Sequence, residues 1–161
     1  MDALTHLATQ LGERLQAKQQ CLALAESCTG GWLAKVITDV PGSSAWFERG
    51  LVTYSNQAKQ DLLGVPTETL GTHGAVSEQT AQAMAAGVLA NTPVDMALAI
   101  TGIAGPDGGS ADKPVGTVWF AWGKRGGDVK TSCQYFSGDR EQIRAQAVAF
   151  ALKSLHGVSD A

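Results

Sequence analysis

The sequence predicts a change from strand to helix at Ala25-Glu26-Ser27-Cys28-Thr29-Gly30-Gly31. An apolar run, residues 21–25, precedes this stretch and reads as a strand. The apolar residues after it are spaced by three and four positions, which predicts an amphipathic helix: Leu33, Val36, Ile37 and Val40. A strand that leads directly into a helix is the basic unit of an α/β fold. The turn between them therefore indicates the fold class and also presents a hydroxyl and a thiol at a helix N-terminus.

Residues 27–31, which we name the first glycine turn, have the properties of a ligand-binding turn. The first amides of a helix have no intrahelical partner, so they stabilise an oxyanion or a phosphate. Gly30 and Gly31 allow the backbone to approach a ligand closely. The simpler alternative is a turn in which Thr29 caps the helix and nothing binds. Adjacent side chains at a strand end point to opposite faces, so we expect only one of Ser27 and Cys28 to enter a site.

Similar patterns extend over the whole chain. Apolar residues at helical spacing predict a first helix between Leu4 and Leu15, and Ser55, Ser77 and Asp139 are positioned to cap later helices, with Gln142 completing a capping box. The predicted strands are residues 21–26, 45–54, 95–100, 115–123 and 128–136, the last two joined by a hairpin at Gly126-Gly127. This order predicts an α/β fold, a three-layer helix/sheet/helix sandwich with a mixed, mostly parallel sheet, in one domain over residues 1–161.

A second glycine-rich segment, Thr101-Gly102-Ile103-Ala104-Gly105-Pro106-Asp107-Gly108-Gly109, follows the strand at residues 95–100. We name residues 101–109 the second glycine turn. Ligands of open α/β sheets bind beyond the carboxyl ends of the strands, so both glycine turns are expected to line one crevice. The negative charge of Asp107 would be unfavourable near a phosphate, and we therefore expect that part of the turn to face away.

Lys59 is the candidate base for Ser27. A free serine hydroxyl is a weak nucleophile at neutral pH and needs an adjacent base. On the short helix after Ser55, Lys59 falls within the apolar arc formed by Ala58, Leu62 and Leu63. A lysine on a buried face has a lowered pKa and accepts a proton when neutral. The alternative is that its amine extends past the leucines to water. Lys35, off its helix's apolar stripe, is expected to be solvated.

Two arginines and a tyrosine are further candidates. Arg140 and Arg144 lie one turn apart at the start of the last helix, where the macrodipole disfavours cations, so they are suited to an anionic ligand. Salt bridges with Asp139 or Glu141 are the alternative. Tyr54 either donates a hydrogen bond near the crevice or simply ends its strand. The histidines are poor candidates, since two fall on terminal helices and one in a polar loop: His6, His156 and His73.

The composition of the 161-residue chain argues against several classes of protein. It is 44% hydrophobic and 17% charged with a net charge of −3, which is typical of a globular protein and argues against a general nucleic-acid binder. The three cysteines, Cys21, Cys28 and Cys133, form no C-x-x-C pair and indicate neither a disulfide framework nor a zinc site. No apolar stretch is long enough to span a bilayer. We expect a cytoplasmic protein without a membrane partner.

Six motifs in order resemble those of the CinA C-terminal domain family. They are residues 25–31, Tyr54-Ser55-Asn56-x-x-Lys59, Gly74-Ala75-Val76-Ser77, residues 101–106, Lys113-Pro114-Val115-Gly116-Thr117-Val118 and Phe136-Ser137-Gly138-Asp139-Arg140. The resemblance covers nearly the whole chain. The larger N-terminal domain of full-length members is not present in the sequence, which implies the stand-alone form.

The resemblance implies an enzyme that hydrolyses the carboxamide of nicotinamide mononucleotide (NMN) to nicotinate mononucleotide and ammonia in pyridine-nucleotide salvage. It implies no metal or other cofactor and a homodimeric assembly. The resemblance implies that Ser27 is the acylated nucleophile, Lys59 the general base and Tyr54 a polar partner. It implies that Arg140 binds the phosphate. The residues that it implies as binders of oxyanion and substrate are Thr29, Gly30, Gly31, Thr101, Gly102, Ala104 and Gly105.

Two other functions are compatible with the same residues. A non-catalytic nucleotide-binding or adaptor module would use the glycine crevice without turnover. A hydrolase dependent on Cys28 would use the thiol in place of the hydroxyl. Release of ammonia and its dependence on the thiol distinguish these functions from the Ser27 amidase.

Overall fold

A computed structural model describes residues 2–159 and shows a five-stranded mixed sheet covered by helices on both faces. Met1, Asp160 and Ala161, the ends of the predicted domain, lie outside the described residues. The elements are α1 (Ala3–Ala17), β1 (Leu22–Glu26), α2 (Trp32–Thr38), a 3-10 turn (Ser43–Ala45), β2 (Phe47–Val52), α3 (Asn56–Leu63), α4 (Thr67–His73), α5 (Glu78–Asn91), β3 (Met96–Gly102), β4 (Thr117–Lys124), β5 (Lys130–Tyr135) and α6 (Arg140–Ser159).

The strand order is β2-β1-β3-β4-β5. The strands β2, β1 and β3 are parallel to one another, whereas β4 and β5 form the antiparallel hairpin. Strand β4 alone is reversed within this sheet, so the predicted mixed sheet and its hairpin are confirmed. In the β1–β3 pair Glu26 lies opposite Ile100, and the two strands therefore end at the same edge of the sheet.

The alternation of large and small side chains in β1 and β3 separates the two faces of the sheet. Successive side chains of a strand point to opposite faces. The large residues pack against α1, α2 and α6: Leu22, Leu24, Met96, Leu98 and Ile100. The alanines face α3, α4 and α5: Ala23, Ala25, Ala97 and Ala99. The small side chains let α5 approach the sheet closely, and the predicted three-layer architecture is confirmed.

The predicted helix caps are present. The hydroxyls of Ser55 and Ser77 accept hydrogen bonds from the amides three residues later. Asp139 and Gln142 form a reciprocal capping box, with both hydrogen bonds at 2.8 Å. These caps start α3, α5 and α6 at the positions expected from the sequence.

Two segments differ from the prediction. Strand β2 is shorter than residues 45–54, because a 3-10 turn occupies Ser43–Ala45 and the strand ends at Val52. Helix α4 was not predicted, since Leu70 is its one buried apolar side chain and the amphipathic signal is weak. His73 therefore ends a helix instead of lying in a polar loop.

Within residues 2–159 no helix combines the length and apolar character needed to cross a bilayer.

Candidate active site

A pocket of about 300 Å³ opens at the edge of the sheet where β1 and β3 end. Both glycine turns contribute to it, as predicted from the strand ends. Helix α3, the loop before α5 and the first turn of α6 complete its wall. The lining residues are Ser27, Cys28, Tyr54, Lys59, Ala75, Val76, Thr101, Gly102, Ile103, Ala104, Gly105, Asp107, Gly108 and Arg140.

Ser27 enters the pocket because the strand geometry of β1 continues one residue beyond Glu26. The Ser27 amide donates to the carbonyl of Ile100 at 3.0 Å, which extends the ladder between β1 and β3. Alternation along the strand then directs Ser27 to the same face as Ala25, toward α3, and directs Glu26 to the opposite face, toward α2. The hydroxyl is thus delivered to the side of the sheet on which Lys59 lies.

Lys59 and Ser27 form a buried pair. The Lys59 Nζ lies 3.0 Å from the Ser27 Oγ, and the lysine side chain is 1% exposed. The same Nζ donates to the carbonyls of Thr53 at 2.9 Å and Tyr54 at 3.0 Å. The alternative in which this amine extends to water is therefore wrong. The predicted apolar arc is correct for Leu63, which is buried, but not for Leu62, which is 47% exposed.

The surroundings of Lys59 favour its neutral form. Burial lowers the pKa of the Lys59 amine from its ordinary value. A neutral amine has two N–H bonds and one lone pair. The two carbonyls match the two N–H bonds, which leaves the lone pair facing the Ser27 hydroxyl. This arrangement can remove the hydroxyl proton, and no rotation of the lysine is needed to do so.

Tyr54 contributes mainly through its backbone. Its carbonyl accepts from Lys59 and lies 3.4 Å from the Ser27 Oγ. The side chain is 61% exposed and lines the outer part of the pocket, where its hydroxyl lies 3.5 Å from the Arg140 Nη2. Tyr54 follows the end of β2 and is not part of the strand. Tyr54 therefore presents a main-chain carbonyl near the serine and a phenol near the arginine, and its role as a polar partner stays a prediction.

The α2 amides that were predicted to bind an oxyanion donate instead to the Glu26 side chain. Its carboxylate accepts from the amides of Leu33 and Ala34, both at 2.9 Å, and from the Thr29 hydroxyl at 2.7 Å. Because those amides are already paired, the prediction that they receive the oxyanion is wrong. The reading of Thr29 as N-cap is also wrong, since Gly31 occupies that position.

The remaining residues of the first glycine turn lie behind the pocket. Thr29 is fully buried, and the Gly30 amide donates to the Ser27 carbonyl at 3.1 Å. Gly30 and Gly31 both have positive φ angles, +58° and +99°, which explains the need for glycine. These three residues do not line the pocket, so their predicted role as substrate binders finds no support in this geometry. They shape the turn that presents Ser27.

The second glycine turn lies directly on the pocket. Thr101, Gly102, Ala104 and Gly105 all line it, as predicted. Among the described residues, the amides of Ala104 and Gly105 have no hydrogen-bond acceptor, which leaves them available to a ligand. The Thr101 hydroxyl, in contrast, donates to the carbonyl of Ala75 at 2.8 Å and holds the neighbouring loop. Asp107 also lines the pocket, so the expectation that it faces away is wrong.

The two arginines at the start of α6 have different surroundings. Arg140 lines the pocket, where its Nη1 donates to the Gly105 carbonyl at 2.8 Å. Arg144 does not line it and instead donates to the carbonyls of Cys28 and Thr29. In the described part of the chain neither arginine forms an ion pair with Asp139 or Glu141. Arg140 is therefore the cation available to an anionic ligand.

Cys28 packs in the core on the α2 side of the sheet, although it also borders the pocket. Burial raises the pKa of its thiol to about 12, so the thiolate is scarce at neutral pH.

None of the histidines lines the pocket. Within residues 2–159 no group of three or more His, Cys, Asp or Glu side chains is arranged to hold a metal ion.

Sequence reasoning missed the wall formed by Ala75 and Val76. Both belong to the motif Gly74-Ala75-Val76-Ser77, but two small apolar residues in a loop carry no chemical signal. It also missed Glu26 as a helix cap. A carboxylate inside an apolar strand that precedes a helix by a short turn was the available signal, because such a charge requires buried donors.

Comparisons with known proteins cover nearly all of this chain. The family model described as the CinA C-terminal domain matches residues 4–158. Nicotinamide-nucleotide amidohydrolase PncC of Escherichia coli strain K12 is 57% identical over 152 residues, 94% of this chain and 92% of that protein. The protein of the same name from Pseudomonas putida is 53% identical over 155 residues, 96% of each chain. The crystal structure of competence/damage inducible protein CihA from Agrobacterium tumefaciens matches with a TM-score of 0.95 and 45% identity, over 98% of this chain and 96% of that one.

Proposed function

The chain belongs to the CinA C-terminal domain family, and from that membership we propose that it hydrolyses the carboxamide of nicotinamide mononucleotide to nicotinate mononucleotide and ammonia. The observation that carries the proposal is the buried contact of 3.0 Å between the Lys59 Nζ and the Ser27 Oγ. A serine paired with a desolvated amine is suited to acyl transfer, and relatives named as amidohydrolases of nicotinamide nucleotides give the substrate.

In the first step neutral Lys59 takes the hydroxyl proton, and the Ser27 Oγ attacks the amide carbon. Thr53 and Tyr54 hold the amine through their carbonyls while it becomes an ammonium. The resulting tetrahedral oxyanion needs donors other than the amides of α2. The Cys28 amide, next to the nucleophile and without a backbone acceptor among the described residues, supplies one. Ala104 and Gly105 line the same pocket, and their amides, which have no acceptor among the described residues, supply the rest.

In the second step the tetrahedral intermediate collapses. The bond between carbon and nitrogen breaks, Lys59 returns its proton to the leaving nitrogen, and ammonia departs. Ser27 then carries the nicotinate ester. Water attacks this ester with Lys59 again as the base, which releases nicotinate mononucleotide and restores the serine hydroxyl. Each attack transfers one proton to Lys59 and each collapse returns it, first to the leaving nitrogen and then to the Ser27 Oγ.

Arg140 is the proposed phosphate ligand. Its guanidinium lies on the pocket wall and is held by the Gly105 carbonyl, with the Tyr54 hydroxyl nearby. A guanidinium without a carboxylate partner is suited to bidentate binding of a phosphate. Thr101, Gly102, Ala104 and Gly105 are proposed to contact the nucleotide between the reacting carbonyl and the phosphate.

The test is an ammonia assay with purified protein on NMN, nicotinamide riboside and free nicotinamide. We expect release from NMN in preference to the two substrates that lack phosphate, and loss of release in Ser27→Ala with the fold intact by circular dichroism. Binding of NMN without ammonia release in the wild type would favour the non-catalytic module. Turnover retained in Ser27→Ala would exclude this serine as the nucleophile. The homodimer and the cytoplasmic location stay predictions, and light scattering tests the first.

A further inference from the structure

Arg144 is a cation beside the pocket that does not face it. It lies one helical turn beyond Arg140 on α6. Its Nε donates to the Cys28 carbonyl at 3.0 Å, and its Nη2 donates to the Thr29 carbonyl at 3.1 Å. The guanidinium also lies over the ring of Trp32, 5.4 Å from the ring centroid. All of these contacts are with the first glycine turn or the start of α2.

These contacts fix the orientation of consecutive peptide groups next to the nucleophile. A peptide unit is planar, so a carbonyl that is held also fixes the amide of the next residue. The Ser27 carbonyl accepts from the Gly30 amide, which fixes the plane that contains the Cys28 amide. Arg144 holds the next two carbonyls, those of Cys28 and Thr29. The Thr29 carbonyl also accepts from the Trp32 amide at 3.0 Å.

The turn needs this support because its own backbone is permissive. Gly30 and Gly31 adopt positive φ angles and can leave them without steric cost. On the inner side, Glu26 holds the Thr29 hydroxyl and the amides of α2. Arg144 holds the carbonyls of Cys28 and Thr29, and the Trp32 amide shares the second of them. The first glycine turn is therefore held by both a buried carboxylate and a guanidinium.

We propose that Arg144 is a positioning residue that holds the first glycine turn, so that the Ser27 hydroxyl and the Cys28 amide meet the substrate carbonyl together. The inference rests on the proposed acyl transfer at Ser27 but not on the identity of the nucleotide. In this proposal the two arginines of α6 have different roles. Arg140 binds the anionic end of the substrate, whereas Arg144 positions the turn that carries the nucleophile. The two substitutions should accordingly affect different kinetic constants.

The test compares Arg144→Met with a matched control at the opposite end of the sheet. Arg125 also donates to backbone carbonyls, those of Leu89, Thr92 and Val94, at 2.7 to 2.9 Å, but lies away from the pocket. Misplacement of reacting groups by about 1 Å costs on the order of 100-fold in rate. We expect Arg144→Met to lower kcat by about 10- to 100-fold with KM for NMN nearly unchanged. Arg125→Met should lower stability and leave kcat intact.

Three further measurements test this role, and the first two do not depend on NMN. In the reaction with a fluorophosphonate the Ser27 Oγ bonds to phosphorus, fluoride leaves and the hydroxyl proton passes to Lys59, so the labelling rate reports the reactivity of Ser27 without NMN. Arg144→Met should label 10- to 100-fold more slowly, by the same order-of-magnitude argument. Hydrogen exchange should become faster at the Gly30 and Trp32 amides and stay unchanged at Leu33 and Ala34, which Glu26 holds. Added guanidinium, below denaturing concentrations, should partly restore kcat in Arg144→Ala.

The results separate the two proposals. A wild type that is labelled by the fluorophosphonate but releases no ammonia from NMN would refute the proposed substrate, and the labelling rates would still test Arg144. Equal labelling of wild type and Arg144→Met would overturn the positioning role. Unchanged exchange at Gly30 and Trp32 would overturn it as well. So would an equal loss of kcat in Arg125→Met, because the effect would then be general destabilisation. If Arg144→Met does not fold, Arg144→Lys replaces it in each comparison.

Discussion

Replacement of Lys59 by methionine removes the amine and keeps most of the side-chain volume. In the wild type the Ser27 Oγ lies 3.0 Å from the amine and 3.4 Å from the Tyr54 carbonyl. After Lys59→Met only the carbonyl is left, and a carbonyl does not act as a base at neutral pH. A positioned general base contributes about 100- to 10,000-fold to rate, so kcat/KM for NMN should fall by that factor.

The same substitution changes the pH dependence in a defined direction. Burial lowers the pKa of the Lys59 amine below 10.5. The neutral fraction grows as the pH rises through the lowered pKa, so wild-type kcat/KM should rise over that interval. In Lys59→Met this rise should be absent from the residual activity.

The free energy of unfolding follows from the same shift. Between the lowered pKa and 10.5 the unfolded chain binds a proton that the folded chain has lost. The free energy of unfolding of the wild type therefore rises with pH across this interval. Each unit by which the pKa is lowered corresponds to about 1.4 kcal/mol. The difference in unfolding free energy between wild type and Lys59→Met, from urea titrations at several pH values, isolates this contribution from the other titrating groups.

Lys35→Met is the matched control, because Lys35 is solvent-exposed, forms a surface ion pair with Asp39 at 2.7 Å and does not line the pocket. It should leave both the rate and its pH dependence unchanged. If Lys59→Met kept more than about a tenth of wild-type kcat/KM, the assignment of the base would be wrong, since even a modest base contributes more than that.

The other predictions concern the thiol, the phosphate ligand and the packing of α1. Cys28→Ala should keep activity within about threefold, because the pKa of the thiol is raised to about 12 and little thiolate exists at neutral pH; loss of ammonia release would favour the thiol as nucleophile. Arg140→Met should raise KM for NMN by about 10- to 100-fold, from the 1.5–3 kcal/mol of a charge-assisted hydrogen bond, and leave the riboside reaction unchanged. An equal effect on the riboside would remove the phosphate assignment. Gly12→Ala would place a Cβ 2.6 Å from the Trp46 ring, so the urea midpoint should fall by the equivalent of about 1–3 kcal/mol; a higher midpoint would contradict this packing.

Local signals in the sequence were sufficient for most of the fold. Apolar periodicity and the capping residues Ser55, Ser77 and Asp139 predicted the strands and most helices, because these signals depend on neighbours within one or two turns. Helix α4 carries a single buried apolar residue and was missed. The alternation of large residues and alanines in β1 and β3 was visible in the sequence, but its consequence, the close approach of α5, depends on which helices cover each face.

In the candidate site, too, local signals in the sequence were sufficient for some features and the packing of distant elements was needed for others. The sequence by itself determined which groups are present: a serine after a strand, a lysine on an apolar helix face, two glycine turns and an arginine at a helix start. Only the tertiary structure decided which of these groups meet. It brought Lys59 to Ser27 through a separation of 32 residues, assigned the amides of α2 to Glu26, and placed Arg140 on the pocket and Arg144 behind it. Periodicity reports which face of an element is buried, whereas a hydrogen bond between distant residues depends on the packing of several elements at once.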